Sequence, residues 1–445
     1  MSGRRERTRR HASASLVALG VLGACSDARP SGSVVEPGVV ARAVVTSALP
    51  ACDPGNGAIT LPTDFCAVVV ADQVGNARHI AVGGTGDVYV AIEMRAQGIL
   101  AMRDTDGDGR ADVKQYFGAP GADGMAILRH FLYVGYPTQI VRYRLEPGQL
   151  VPSSSPEIVV SGLPMSGDHF RKNITFDGRS TMFVNIGSAT NSCQVANRVA
   201  QSPGIDPCPE LATRAGIWRF NALMLGQTQS NGVRVATGFR NTEALRYDAS
   251  RRALFGVMHG RDELGKDWGQ FFTAQENADL PGEEFLRINQ GDDAGWPYCF
   301  YDGIRNVKVL APEYGGDGDI VSPRCATKAQ PLLDFPAHWA PNDLLFYQGT
   351  QFPTRYRGGA FVAFHGGKDR TPLPEEGYNL VFAPFVGDVP SPSWEVFADG
   401  FTGGGSPLPA NAAHRPMGLA EGPDGSLYLT DDKGGRIWRI SYRVQ

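Results

Sequence analysis

The chain has 445 residues and a formal net charge of −4, with 42 basic side chains set against 46 acidic ones. That near balance leaves no basic field to attract nucleic acid. Its 55 glycines and 31 prolines fall between short apolar runs rather than in one low-complexity tract, which favours many short strands joined by tight turns over a helical protein.

At the N-terminus, Arg4, Arg5, Arg7, Arg9 and Arg10 precede a short apolar stretch, Leu16 to Leu22. Such a stretch is too short to span a bilayer and suits a cleaved export signal. The Leu22-Gly23-Ala24-Cys25 sequence matches a bacterial lipobox, so residues 1–24 are predicted to be a lipoprotein-type signal peptide and Cys25 the lipidated first residue. Cleavage as an ordinary signal peptide is the alternative. Residues 25–49, rich in Ser, Pro, Gly, Ala and Val, are predicted to be a flexible tether. Residues 50–445 then form a single domain. The expected location is the periplasmic face of a bacterial membrane, held by a lipid only, or the periplasm or exterior if unlipidated.

Without Cys25, six of the seven cysteines remain, in a compartment that permits disulfides. Nearest-neighbour pairing is the simplest of the possible connectivities: Cys52 with Cys66, Cys193 with Cys208, and Cys299 with Cys325. None has the spacing of a zinc site or a haem attachment motif.

From Arg78 onward one unit recurs: a turn, an alternating apolar strand, then a second short strand. Gly86 to Val90, Phe131 to Val134, Ser180 to Val184, Arg252 to Val257, Gly359 to Phe364 and Asp424 to Leu429 are its instances. Alternation bounded by Gly and Asp is the mark of a half-buried antiparallel strand. The repetition predicts an all-β fold, a six-bladed β-propeller of four-stranded antiparallel blades with long inter-blade loops. A pair of β-sandwiches is the plainer alternative. No helical period is sustained, and Asp262 to Ala278 is the one place for a short helix.

The run Asp104-Thr105-Asp106-Gly107-Asp108, closed by Asp112, places carboxylates at alternate positions with glycines that let the loop curl. Hard oxygen ligands so arranged suit a structural Ca2+. An acidic turn without metal is the plain reading. Asp168-His169 precedes a strand, where an imidazole can take a hydroxyl proton and a neighbouring carboxylate can orient it. Farther on come Gly238-Phe239-Arg240-Asn241, His259-Gly260-Arg261-Asp262-Glu263-Leu264, Gly295-Trp296-Pro297-Tyr298-Cys299, Phe364-His365-Gly366-Gly367-Lys368-Asp369-Arg370 and His414-Arg415-Pro416-Met417-Gly418. Taken singly, Arg240 has Glu243 as a ready ion-pair partner, Trp296 and Tyr298 read as blade core, and His259, His365 and His414 read as structural.

In order, these motifs resemble the soluble glucose/sorbosone dehydrogenase family of quinoproteins over nearly all of Arg78 to Tyr442, with the sorbosone dehydrogenase-like branch the nearest in flavour. The resemblance implies oxidation of a sugar, or a related alcohol or aldehyde, with pyrroloquinoline quinone (PQQ) and Ca2+. His169 then stands as the base and Asp168 as its supporting carboxylate. Arg240 and Asn241 lie against the cofactor, and Lys368 and Arg415 meet its carboxylates. The backbone carbonyls of Gly260 and Arg261 hold its calcium. Arg261 stands where the family has proline, and Met417 stands where a second arginine is sometimes found, leaving Arg370 or Arg78 to replace that charge. With no haem motif, electrons must leave to a separate cytochrome or quinone. Two rival readings remain: a calcium-dependent propeller lactonase or hydrolase, for which no convincing ring of Asn, Asp and Glu is seen, and a non-catalytic propeller that binds a carbohydrate or protein.

Overall fold

The computed structural model describes residues 49–404 and 407–443; the predicted signal peptide, Cys25 and all but the end of the tether lie outside them. Six four-stranded antiparallel blades are arranged in a ring, the predicted propeller, and the second blade gains a short parallel edge strand, Gln227–Thr228. Blade I comprises Ala77–Val82, Val88–Ile92, Ile99–Arg103 and Val113–Phe117; blade II, Met125–Leu128, Phe131–Tyr136, Gln139–Arg144 and Glu157–Ser161. Blade III is built from Ile174–Phe176, Thr181–Ile186, Gly216–Asn221 and Val233–Thr237, and blade IV from Ala244–Asp248, Ala253–Met258, Glu283–Ile288 and Leu333–Phe335. Pro341–Phe346, Ala360–His365, Tyr378–Ala383 and Glu395–Ala398 make blade V. Blade VI takes Pro416–Glu421, Leu427–Asp431 and Ile437–Tyr442 from the end of the chain and its outermost strand, Phe65–Ala71, from the beginning.

Each recurrent apolar run is the second strand of a blade, and outside blade III, where Thr181 and Phe183 are only partly buried, it is buried on both faces rather than half-buried. Val88–Ile92 and Ala253–Met258 are buried at every position. The reason is radial packing: both faces of a blade meet a neighbour, so alternate side chains enter two different cores. Tyr89 and Ala91 pack toward blade II, whereas Val88 and Val90 pack toward blade VI.

The ring closes where Phe65 pairs with Tyr442 and Val69 with Trp438. This joins the two ends of the domain, and the Cys52–Cys66 disulfide ties the approach segment to the closing strand. The Cys193–Cys208 and Cys299–Cys325 disulfides also form as nearest neighbours. Both contribute to a small core with Trp296 and Tyr298, which therefore pack beneath the inserted loops and not inside a blade. Two short helices, Leu264–Asp267 and Ala274–Asp279, occupy the segment expected to hold one.

In such a meander, the residues entering a blade's first strand and those leaving its second share one end of the ring. His169, Arg240, Asn241 and Arg415 enter first strands, while Gly260, Arg261 and Lys368 follow second strands. Topology alone thus gathers the predicted site residues at one end. The Asp104–Asp112 loop follows a third strand and lies at the other.

Because the Cys52–Cys66 bridge secures the strand that closes the ring, a Cys52→Ser/Cys66→Ser variant should lose about 3 kcal/mol of stability. Denaturant unfolding checks this, and an unchanged midpoint contradicts it.

Candidate functional site at the propeller axis

The axis holds a buried charge cluster. Arg78, 3% exposed, donates through Nε to Asp123 at 2.5 Å, through Nη2 to Glu243 at 2.5 Å and through Nη1 to Asp432 at 3.2 Å. Burial opposes its charge, but Asp123, Glu243 and Asp432 together outweigh burial and raise its pKa. Burial likewise pushes the three carboxyls upward; Arg78 holds Asp123 and Glu243 below their ordinary values, helped by His79 at Asp123, and His365 holds Asp432 down, helped by Arg78. One guanidinium therefore joins blades I, II, IV and VI at their axial edges.

His169 stands half-buried in the wall beside this cluster. Its Nδ1 faces the Ser188 carbonyl at 3.1 Å and the Ser188 Oγ at 2.9 Å. That hydroxyl gives its own proton to the Thr190 carbonyl at 2.7 Å. Both atoms facing Nδ1 are thus acceptors, so Nδ1 carries the hydrogen and Nε2 the lone pair. Burial first, and then the Arg240 charge, push this imidazole well below its ordinary pKa. It is a neutral base at neutral pH. A Cβ at Gly187 would lie 2.6 Å from the His169 Cβ and 3.0 Å from the Asn241 Oδ1, so glycine is what lets the base and Asn241 approach each other.

Asp168 does not support His169. Its carboxylate turns to Arg198 at 3.0 Å, leaving Ser188 to orient the ring. Arg240 pairs not with Glu243 but with Asp262 at 2.8 Å, and it donates to the Asn191 carbonyl, the Asn191 Oδ1 and the Gly260 carbonyl at 3.1, 2.9 and 2.8 Å. Gly260 is held in turn: its N–H donates to Glu283 at 2.7 Å, and the other oxygen of that carboxylate takes the Ala340 N–H at 3.2 Å. Burial raises the Glu283 pKa to about 8.

Arg261, in the proline position, sends its guanidinium away from the axis to both oxygens of Glu313 at 2.6 Å, pinning the loop to the blade IV insertion. Arg415 lies at the axis, donating to the His365 carbonyl at 3.0 Å, next to the pairing of His365 with Asp432 at 2.6 Å. Lys368 is exposed and lines a cavity of about 580 Å³ together with Glu263 and Asp369. Met417 is fully buried. Of the two arginines that might replace its charge, Arg370 donates to the Ala278 and Pro374 carbonyls, and Arg78 is taken up by its three carboxylates.

At the far end, the Asp104, Asp106 and Asp108 oxygens come within 4.8 Å of one another. Asp112 does not join them; it accepts from the Thr105 N–H and hydroxyl, each at 2.7 Å.

The ring-orienting Ser188, and Asn191, Arg198 and Asp262, were not singled out as site residues from the sequence, and Arg78 was named only as a replacement for a missing cofactor cation and not as a hub. Ser188, Asn191 and Arg198 belong to the blade III insertion, which carries no periodic pattern.

The donor set suits an anionic quinone with calcium. It combines a neutral imidazole, several cations at one end of the ring, and a Gly260 carbonyl already facing a cationic group, the Arg240 guanidinium. The cavity directly between Arg240, Gly260 and Trp296 is small, about 20 Å³.

A six-bladed propeller whose axial site gathers arginines with their carboxylate partners, and a neutral histidine in its wall, is the class of protein defined here. The chain belongs to the TrAA12-like family, whose profile matches residues 59–443. Its fold is shared with the calcium structure of a family AA12 carbohydrate-active enzyme from Trichoderma reesei: 18% identity, TM-score 0.71, covering 86% of this chain and 97% of that one. It is shared too with the holo PQQ domain of pyranose dehydrogenase from Coprinopsis cinerea, at 17% identity and TM-score 0.67 over 89% and 99% of the two chains. The apo aldose sugar dehydrogenase of Escherichia coli aligns at 15% identity and TM-score 0.58 over 85% and 100%. A Borreliella burgdorferi protein described as uncharacterized is 25% identical over 210 residues, 47% of this chain; the chain spans about half of that relative's length, 48%.

Removing Arg78 takes the shared cation from the buried Asp123 and Glu243 and from the partly buried Asp432, and Arg78→Met should destabilise the domain by about 3–5 kcal/mol. In the parent, the carboxyls of Asp123, Glu243 and Asp432 are depressed on folding, so their contribution is full above the unfolded carboxyl pKa and fades as pH falls through it. In the variant the sign reverses, and the deficit should shrink on acidification. Unfolding midpoints at about pH 5 and 8 test this; a deficit independent of pH contradicts it.

Proposed function

We propose that this protein oxidises a sugar, or a related alcohol or aldehyde, using PQQ and calcium, with His169 as the general base. The observation that carries the reading is the state of His169: neutral, held through Nδ1 by Ser188, and with no hydrogen bond to Nε2 among the described residues. The fold shared with the PQQ domain of a pyranose dehydrogenase and with a PQQ-bound aldose sugar dehydrogenase supports it.

In this reading His169 Nε2 takes the substrate hydroxyl proton, and the depressed pKa keeps the base ready without prior deprotonation. When bound, PQQ supplies a two-electron hydride acceptor that calcium makes more electrophilic. Arg240, Lys368 and Arg415 would meet its carboxylates, Asn241 would lie alongside, and the carbonyls of Gly260 and Arg261 would hold the calcium. Asn191 and Asp262 keep the Arg240 guanidinium in one orientation, as a planar cation at a planar ligand requires. Asp104, Asp106 and Asp108 are proposed as a separate structural calcium site, and a cytochrome or quinone as the electron acceptor. Three disulfides favour an oxidising, exported setting, with the anchor at Cys25.

Purified protein should gain dye-linked sugar oxidation only when PQQ and calcium are both added. Lactone hydrolysis without quinone would replace this reading with a hydrolase, and no activity of either kind with a binding module. His169→Ala should lower kcat by about 100-fold or more while quinone affinity holds. The acid limb of kcat/KM should lie well below the ordinary imidazole range, because protonation of His169 is what removes the base. An acid limb near neutrality would take His169 out of the mechanism.

A further inference from the structure

Next to Arg240, three groups converge, of which the quinone reading uses only Asp262, as a brace for that guanidinium. Asp262, His338 and Asp369 each offer a ligand atom, and those atoms lie within 4.8 Å of one another. They come from three separate loops: one after the second strand of blade IV, one before the first strand of blade V, and one after its second strand. Neither carboxylate hydrogen-bonds or ion-pairs with the imidazole. Their spacing is that of ligands around a shared centre rather than of groups bonded directly.

The histidine makes this more than a pair of acidic side chains. His338 is 6% exposed, and its Nε2 meets the carbonyls of Asn277 and Leu280 at 2.8 and 3.1 Å. Both are acceptors, so Nε2 carries the hydrogen and Nδ1 the lone pair. Nδ1 has no hydrogen-bond partner among the described residues. A buried imidazole whose outer nitrogen is fixed by backbone carbonyls, and whose inner nitrogen is unpartnered, is the usual arrangement of a metal-ligating histidine.

The surroundings hold this geometry. Asn277, whose carbonyl orients His338, also donates through Nδ2 to the Asp369 carbonyl at 2.7 Å. A Cβ at Gly367 would lie 2.4 Å from the His338 carbonyl oxygen, so glycine there lets the Asp369 loop close onto His338. The Asp369 carboxylate has no hydrogen-bond or ion-pair partner among the described residues. Asp262 contacts Arg198 and Arg240 through Oδ2 alone, which leaves Oδ1 available. The cavity of about 580 Å³ that Asp369 lines gives access from solvent.

We propose that Asp262, His338 and Asp369 bind a divalent first-row transition metal of the zinc and cobalt kind, at a site separate from any calcium held by the Gly260 and Arg261 carbonyls. One imidazole and two carboxylates suit such an ion better than calcium, which takes oxygen ligands. With three protein ligands, water completes the coordination. Since Asp262 also holds Arg240, the metal would fix that carboxylate from the opposite oxygen and so brace the guanidinium.

The test uses the full-length protein stripped with chelator and kept free of quinone, so its outcome does not depend on sugar oxidation. Titration with zinc chloride should show one tight equivalent, and cobalt(II) should give a visible d–d band. Asp369→Asn, isosteric at a group with no hydrogen bond to lose, should weaken zinc binding at least about tenfold and abolish the band. His338→Gln should do the same. Asp104→Asn/Asp106→Asn, at the far end of the ring, should bind zinc as the parent does. The proposal is overturned if Asp369→Asn, with an unchanged unfolding midpoint, binds zinc like the parent, or if the parent takes calcium but not zinc with loss in the same variants.

Discussion

The contact of Arg78 with Asp123, Glu243 and Asp432 is the constraint on which the site end of the ring depends. Blade faces pack through apolar side chains, which fix spacing but carry no preference for charge. At the axis the first strands converge, and their polar entry residues lose water together. A lone buried carboxylate there would neutralise, and three would repel one another. A single planar guanidinium with several donors resolves this, because it can meet three acceptors from three directions at once. The result is a rigid polar floor. Asn241 and Glu243, two residues apart, connect that floor to the groups above it.

On this floor the site is layered. His169 owes its tautomer to Ser188 and its neutrality to burial and to Arg240. Arg240 owes its orientation to Asn191 and Asp262. Gly260 is fixed from one side by Arg240 and from the other by Glu283. His169, Arg240 and Gly260 are thus each held by a neighbour that is not proposed to touch ligand, and this preorganisation lets a site meet charge without rearranging. The Asp262 carboxylate is shared between the cationic pocket and the His338–Asp369 pair, so electrostatic changes on either side reach the other.

Arg261 shows how a departure from a family pattern can be absorbed. Proline would stiffen the turn after Gly260. Arginine instead extends to Glu313, which also accepts from the Trp268 indole at 2.9 Å and the Ser192 hydroxyl at 3.1 Å. The turn is then held by its side chain's attachment to an insertion and not by its own ring. The carbonyls, which any residue supplies, remain.

The amino-acid sequence by itself determined the number of blades, the second strand of each, the three cysteine couples and the end of the ring on which the candidate residues fall. These follow from local alternation, turn chemistry and meander topology, and all of them act over short stretches of chain. Only the tertiary structure decided what each polar side chain faces. Asp168 lies next to His169 in sequence yet turns to Arg198, while Ser188, nineteen residues on, orients the ring. Arg240 passes over Glu243 for Asp262, and Asp112 closes on Thr105 rather than joining the other aspartates. The closing strand Phe65–Ala71 and the hub at Arg78 were equally hidden, because the strand pairs with the far end of the chain and the hub joins residues 45 to 354 positions apart. Hydrogen bonds and ion pairs are directional and short-ranged, so their partners are set by where backbones come together. No periodicity along a chain records that.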